Sequence, residues 1–479
     1  MTKRLFNKEN IIILLTAIIF LLIFSKSTSP LLHSYCYGKD SDIFKVMGKL
    51  WNGGLVPYRD FLDHKGPVIF FIEAIGLRIS ELVGIILLQF ISLLFALKGM
   101  IKTSKLFNTN INSLLIIATT LLLLNVYYQA GNYTEEFCLP FLAWSIYWLT
   151  RFIRNDDTTV NGLYFIFFGI TFGVCAFTRI TNAIPLCVLI VVFGIRSIIN
   201  KKIIVLLKQA ICFLVGTSII VVPFIIYFAT KGAVNDLIYA TFIYNFRYAS
   251  DSQLNLTIND ILNFILLLVP MIASAVLIIV HMIKNSSNRL LFGTFLAIMI
   301  IGTVFQITQF PYGHYYIIWI PIIVPIIFVD YKKLTNNKVL RIIRLLALIG
   351  IIAVMLIKLT TFIVDLFDDL KKKNAEIFAK EAQKIEKEYN KDPGKVIAYN
   401  GVPAFYLMTD IKPCYRFFIL QDWQCSHDKE AKKEFEKDIK SLKAKYIIKG
   451  LEKTRMDSFI NKKYRIVYST KDFKLLTLR

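Results

Sequence analysis

Long blocks of apolar residues recur along this chain and leave little choice of fold. IIILLTAIIFLLIF (residues 11–24) is the first; LLIIATTLLLLNVYY (114–128), YFIFFGITFGVCAF (164–177), IIVVPFIIYF (219–228), FILLLVPMIASAVLIIV (264–280), YYIIWIPIIVPIIFV (315–329) and LLALIGIIAVMLI (345–357) follow. Lipid offers no hydrogen-bond partner to a bare backbone, so an apolar run of about 20 residues crosses a bilayer as a helix. The sequence therefore predicts an all-α polytopic membrane bundle. Hydrophobic residues make up 56% of the 479, too many for a soluble chain of this length. The first block is long for the apolar core of a signal peptide, and the SKSTS after it lacks a small-x-small cleavage site.

Fifty-six Lys and Arg against 33 Asp and Glu give a net charge of +23. In a soluble protein that excess would point to nucleic acid. Here the charges lie between the apolar blocks and in the tail, where membrane orientation and anionic headgroups account for them, and no zinc-finger or other nucleic-acid signature is present. The seven cysteines, Cys36, Cys138, Cys175, Cys187, Cys212, Cys414 and Cys425, show no metal-ligand spacing; Cys414 and Cys425 could pair as a disulfide in an extracellular tail.

Basic residues cluster at Lys3/Arg4, Lys102/Lys105, Arg151/Arg154, Arg196 to Lys208, Lys284/Arg289 and Lys332 to Arg344, which the positive-inside rule places in the cytoplasm. The segments around 129–136, 231–258 and 308–314 are poor in Lys and Arg and are expected outside. Residues 66–101 must make an odd number of crossings, yet read as two shorter apolar pieces split near Arg78, Ser80 and Glu81, so a tilted, broken or re-entrant helix is expected there. The count is about 11 crossings, within a range of about 11 to 13, with the N-terminus cytoplasmic and the tail extracytoplasmic.

The expected domains are 1–367 in the membrane, including a first outer loop at 29–65, and 368–479 as a small extracytoplasmic α/β domain. In the tail, KKKNAEIFAKEAQKIEKEY reads as a charged helix, KVIAY (395–399), KYIIKG (445–450) and YRIVYS (464–469) as strands, and VPAFYL as the opening of a helix.

Polar residues concentrate on the outer side. DSDIFKVMGKLWNGG spaces Ile43, Phe44, Met47, Leu50 and Trp51 as an amphipathic helix at the membrane surface, stopped by Gly53 and Gly54. Asp40 falls just before its start, beside Asp42; the position suits a helix N-cap and equally a general base or metal ligand. In LVPYRDFLDHKGPV, Asp60, Asp63, His64 and Lys65 precede Gly66–Pro67, where the next helix should begin. GNYTEE (131–136) and FPYGHYY (310–316), with His314, are further polar clusters, and Arg179 in AFTRITN is a lone arginine between apolar runs. A guanidinium fork there suits phosphate oxygens. Four outer segments with acidic, basic or imidazole groups would line a cavity for a ligand with a lipid tail and an anionic head.

The order Asp40, then GLVPYRD and DHKGP, then GNYTEE, TRITNAIP, FIYNFRY and PYGHYY resembles the bacterial integral-membrane glycosyltransferases of the GT-C superfamily, in the dolichyl-phosphate-mannose-protein mannosyltransferase-like group that includes the lipid A aminoarabinose transferases. PYRDFLDHKGP is its most specific part, and the resemblance covers roughly residues 1–365. It implies a bacterial plasma-membrane enzyme that passes a sugar from a polyprenyl-phosphate carrier to a cell-envelope glycan or glycolipid acceptor on the outer face. It implies Asp40 as catalytic base or metal-associated carboxylate, Asp42 second, and Glu135 and Glu136 as the second acidic motif. Arg179, Lys65, His64 and His314 would serve the phosphate, with Tyr58, Arg59, Asp60, Asp63, Tyr244, Asn245 and Tyr315 as further substrate contacts. A divalent metal held by Asp40, Glu135 or His314 is possible. Relatives often carry adjacent acidic residues where this chain has Asp40-Ser41-Asp42. A single carboxylate acting in one displacement would invert the anomeric centre. A transporter or flippase of an amphiphilic substrate is the rival reading, and a scaffold presenting the tail domain is a third.

Overall fold

The computed structural model describes all residues except 1–7, 31–38, 155–161, 246–255, 285–287, 331–336, 372–379, 381, 385, 388–395, 401–402, 420–428, 442–443 and 470–472. Helices dominate as the apolar blocks require, and the chain is a polytopic α-helical membrane protein with a small C-terminal α/β extension. Among the described residues six helical stretches are long and apolar enough to cross a bilayer: 84–107, 180–199, 203–230, 258–283, 289–307 and 338–367. The chain divides into two units. Unit one comprises residues 1–25, 86–223 and 254–369; unit two comprises 26–85, 224–253 and 370–479.

In chain order the helices are α1 (Lys8–Phe24), α2 (Lys39–Asn52), α3 (Pro67–Ile79), α4 (Gly84–Phe107), α5 (Ser113–Tyr128), α6 (Thr134–Arg154), α7 (Gly162–Thr178), α8 (Ile184–Ile199), α9 (Ile203–Thr230), α10 (Val234–Ile238), α11 (Ile258–Lys284), α12 (Arg289–Ile307), α13 (Ile320–Ile327) and α14 (Lys338–Lys371). The expected break within 66–101 falls between α3 and α4, at residues 80–83. At 13 residues, α3 has a rise of about 20 Å and is too short to cross a hydrocarbon core of about 30 Å by itself.

In unit one, glycines bring two helices into backbone contact. A Cβ on Gly169 of α7 would lie 2.0 Å from the carbonyl oxygen of Phe213 on α9, and one on Gly216 of α9 would lie 2.0 Å from that of Ile166. The two backbones touch, and the Thr217 hydroxyl donates to the Gly169 carbonyl at 3.2 Å. Small residues permit this approach where lipid supplies no hydrophobic drive to associate.

Unit two is built around α2. Its end is a Schellman motif: Leu55 N–H donates to Leu50 O at 3.2 Å, Gly54 N–H donates to Trp51 O at 3.1 Å, and Gly54 takes φ +85°. Asp40 lies inside the first turn of α2, not ahead of it. The apolar residues Ile43, Phe44, Met47 and Leu50 are buried by protein, with α3 and the short α15 (Ala404–Met408) packed on the helix. The expected surface helix thus spends its apolar face on its own chain. Lys49 Nζ donates to the carbonyls of Tyr406, Leu407 and Thr409 at 3.1, 3.3 and 2.8 Å, satisfying the C-terminal end of α15.

The tail forms a four-stranded sheet of β1 (Val396–Tyr399), β2 (Tyr446–Gly450), β3 (Tyr464–Ser469) and β4 (Phe473–Leu478) in the order β1-β2-β4-β3, flanked by α16 (Lys429–Lys440) and α17 (Asp457–Lys463). β1 runs parallel to β2, the other pairings are antiparallel, and a register shift between Ile466 and Tyr468 bends β3. Three strands match the sequence expectation. The fourth, FKLLTL, is a correction: it has no clean alternation because its place between two partners buries Phe473, Leu475 and Leu476 together. Part of the charged helix after residue 370, and Cys425 of the suggested disulfide, lie outside the described residues.

Because the α7–α9 contact tolerates no side chain, Gly216→Leu should lower the detergent-solubilised thermal midpoint by several degrees, an overpacking cost of about 1–3 kcal/mol. Gly194→Ala, inside α8 with nothing within 4 Å of the added carbon, should not lower it and should raise it slightly through helix propensity.

Candidate functional site

Three of the four polar segments expected outside meet inside unit one. The turn after α5 places Tyr133 and the first residues of α6, the junction after α7 places Arg179, and the loop after α12 places Gln309, His314 and Tyr315. Glu135, in the first turn of α6, is completely buried. Its Oε1 accepts from Arg179 Nη1 at 3.2 Å, and its Oε2 has no hydrogen-bond partner among the described residues. The Arg179 guanidinium also donates to Gln309 Oε1 at 3.2 Å and lies 3.6 Å above the Tyr315 ring. Arg179 is therefore not a lone cation: an internal carboxylate pairs it.

Glu136 has a different task. Its Oε1 accepts from the Tyr133 N–H at 2.9 Å and its Oε2 from Gln89 Nε2 at 2.9 Å, half of a capping box that satisfies the helix start. That use competes with the catalytic assignment. His314 is buried, stacks on Tyr133 with centroids 4.0 Å apart, and has Nδ1 2.7 Å from Gln129 Oε1. A neutral amide oxygen accepts only, so Nδ1 carries the proton. Sequence reasoning missed Gln89, Gln129 and Gln309. The only signal was a glutamine just ahead of each outer motif, in YYQAGNY and ITQFPYG.

The remaining segment, 55–65, belongs to unit two and is mostly self-consumed. Asp60 Oδ2 accepts from the Val56 N–H at 2.7 Å, and both Asp60 oxygens receive the Arg59 fork, at 2.8 and 3.0 Å. Hydrogen bonding from Arg59 holds the Asp60 carboxyl below the usual range. Tyr58, fully buried at φ +70°, donates its hydroxyl to Lys65 O at 2.8 Å. Asp63 accepts from the Lys65 N–H at 2.9 Å; burial pushes its carboxyl up. Lys65 Nζ lies 2.9 Å from His64 Nε2, a contact an ammonium can make only with a neutral imidazole, and His64 Nδ1 stands 3.7 Å from Asp63 Oδ2. Asn245 Nδ2 anchors the His64 carbonyl at 2.8 Å, and the Tyr244 ring faces His64 at 5.8 Å.

On α2 of the same unit, Asp42 is 3% exposed. Its Oδ1 accepts no hydrogen bond among the described residues; Lys45 Nζ stands 3.8 Å away and donates to the Ser27 carbonyl. Burial raises the Asp42 carboxyl to about 6, against the pull of Lys45. Asp40 is half-buried, with no partner among the described residues. Among the described residues no three His, Cys, Asp or Glu side chains are grouped to hold an ion. Of the three suggested metal ligands, Glu135 and His314 already have protein partners.

The family model for the competence-induced Ccs4 N-terminal domain matches residues 2–345. The chain belongs to that family. Its matched region takes in α1 to α13 and every candidate residue above, and ends within α14. The fold is also that of ArnT from Cupriavidus metallidurans. The apo structure aligns with a TM-score of 0.58 at 10% identity, covering 97% of each chain. The structure bound to undecaprenyl phosphate aligns at 0.54, with the same identity and coverage. No curated protein matches this chain.

Two outcomes are expected. Arg179→Leu strands the buried Glu135 carboxylate and should cost about 3–5 kcal/mol, whereas the double variant Glu135→Leu/Arg179→Leu should recover most of the thermal midpoint. The second concerns pH. With Asp42 at about 6 in the folded chain and 3.8 as its ordinary value, the folded state keeps a proton that the unfolded state has lost between those pH values. Stability from this group should fall as pH rises from about 4 to about 6 and level off above. Asp42→Asn should abolish that component of the thermal-midpoint profile.

Proposed function

We propose that the chain transfers a sugar from a polyprenyl-phosphate carrier to a cell-envelope glycan or glycolipid acceptor at the outer face of the membrane, with inversion. The observation that carries this reading is the likeness of fold over nearly the whole chain to ArnT in its undecaprenyl phosphate-bound state. The motifs shared with the GT-C superfamily support it. In this reading residues 1–367 form the transferase region in a bacterial plasma membrane, and 368–479 an extracytoplasmic domain.

Asp40 takes the acceptor hydroxyl proton as that oxygen attacks the anomeric carbon. The carbon–oxygen bond to the carrier breaks, and its electron pair leaves with the lipid phosphate. Asp40 suits this role because it is half-buried and has no described partner to compete for its lone pairs. Asp42, buried in the same turn, raises the local negative potential. Lys65, oriented by neutral His64, is assigned to the departing phosphate. In unit one, the opposing charge of Glu135 holds the Arg179 guanidinium in place and makes it a weaker anion receptor than a free arginine. A divalent ion bound by Asp40 would lend charge stabilisation to that phosphate, and chelation of the active protein tests that.

The full chain in proteoliposomes should transfer label from at least one of a panel of radiolabelled polyprenyl-phosphate sugars. Asp40→Asn should lower the rate at least about 100-fold, the usual worth of a general base, with donor binding retained. Equal rates would remove Asp40 from catalysis. Translocation of every donor with transfer of none would reject the reading in favour of a flippase.

A further inference from the structure

Between Arg344 and Asp365, a helical rise of about 31 Å, α14 carries a single ionisable side chain, Lys358. The helix around it faces outward, with Ile349, Ile352, Leu356, Ile363 and Val364 all exposed. An ammonium on such an apolar surface needs a partner. Lys358 Nζ donates to Asn263 Oδ1 of α11 at 2.6 Å. Asn263 Nδ2 points to the carbonyl of Pro311 at 3.5 Å, in the loop that leads to His314 and Tyr315. The amide is thereby oriented with its oxygen toward the lysine. It is the ammonium's sole hydrogen-bond partner among the described residues, and no described carboxylate lies within ion-pairing distance of Lys358.

One neutral amide oxygen satisfies one of three N–H donors and none of the charge. Lys358 is about 10 Å of helix rise from Asp365, so its stem can bring the ammonium to headgroup depth. The flanking surface of α11 is also aliphatic, with Ile261, Leu262 and Ile265 exposed. An oriented ammonium framed by aliphatic side chains of two helices matches a ligand with an anionic head and hydrocarbon tails.

We propose that Lys358 and Asn263 form a docking site for a lipid-borne phosphate. The phosphate oxygens take the two remaining ammonium donors, and the tails lie along the outward faces of α11 and α14. The site stands whether or not the chain is a transferase, because the argument uses only the unbalanced charge and its surroundings.

The test uses the full chain in phosphatidylcholine nanodiscs. Binding of a polyprenyl phosphate and of phosphatidylglycerol is measured separately by native mass spectrometry, with inorganic phosphate as competitor. At least one lipid should bind the wild type about tenfold more tightly than Lys358→Gln. Lys358→Arg should retain binding, and Asn263→Leu should weaken it. Preference for the polyprenyl phosphate would make this a port for a carrier, and preference for phosphatidylglycerol a site for bilayer lipid; either supports the proposal. Equal binding of both lipids by wild type and Lys358→Gln would overturn it, as would displacement of lipid by millimolar inorganic phosphate. Lys358→Arg separates loss of charge from loss of fold: if it binds no better than Lys358→Gln while both keep the wild-type thermal midpoint, the proposal also fails. Since no transfer is measured, a negative glycosyltransfer assay leaves this result independent.

Discussion

Glu135 is a carboxylate with no solvent contact, and it persists because Arg179 sits against it. Removing two charges from water costs several kcal/mol each, and their attraction repays that only with close geometry and further hydrogen bonds. The geometry here comes from three separate parts of the chain. The start of α6 presents Glu135 to a helix N-terminus, where negative charge is favoured. The junction after α7 delivers the guanidinium, and the loop after α12 supplies the Gln309 amide and the Tyr315 face. This pair ties together the polar ends of helices whose apolar surfaces offer no comparable specificity.

The same economy runs through unit two. Of the polar residues in PYRDFLDHKGP, Asp60, Asp63 and Tyr58 hold the segment's own backbone, and Arg59 holds Asp60. The density of charge that draws the eye in the sequence is thus partly the requirement that a tight, buried turn satisfy its own donors and acceptors. His64 and Lys65 face each other, with Asp63 beside the imidazole. α2 shows the complementary behaviour: its apolar stripe is consumed by α3 and α15, while Lys49 closes the carbonyl end of α15. The helix bearing Asp40 and Asp42 is therefore fastened to the tail domain by charge-assisted hydrogen bonds.

Much of the fold was legible from residue pattern. Apolar run length announced a helical membrane bundle, the interruption at Arg78 to Glu81 announced the break between α3 and α4, and Gly53–Gly54 announced the end of α2. β4 was not legible, because a strand buried among partners loses the alternation that marks a half-exposed one. Within the candidate site, Glu135, Arg179, His314 and Tyr315 were nameable as unusual residues at helix ends. Their pairing was not, and neither were the glutamines that complete it, since an amide near an apolar run carries no periodicity.

What this chain's sequence determined alone is whatever depends on local solvent chemistry. Residues that cannot leave lipid must be helical, and residues that cannot enter it collect at helix ends. The tertiary structure decided which of those polar groups neutralise one another. It gave Arg179 to Glu135, spent Glu136 on a cap, buried Asp42 while leaving Asp40 without a described partner, and left Lys358 with only an amide. Those outcomes turn on contacts between residues from three to 95 positions apart, where a shift of a few ångströms decides whether a charge is balanced.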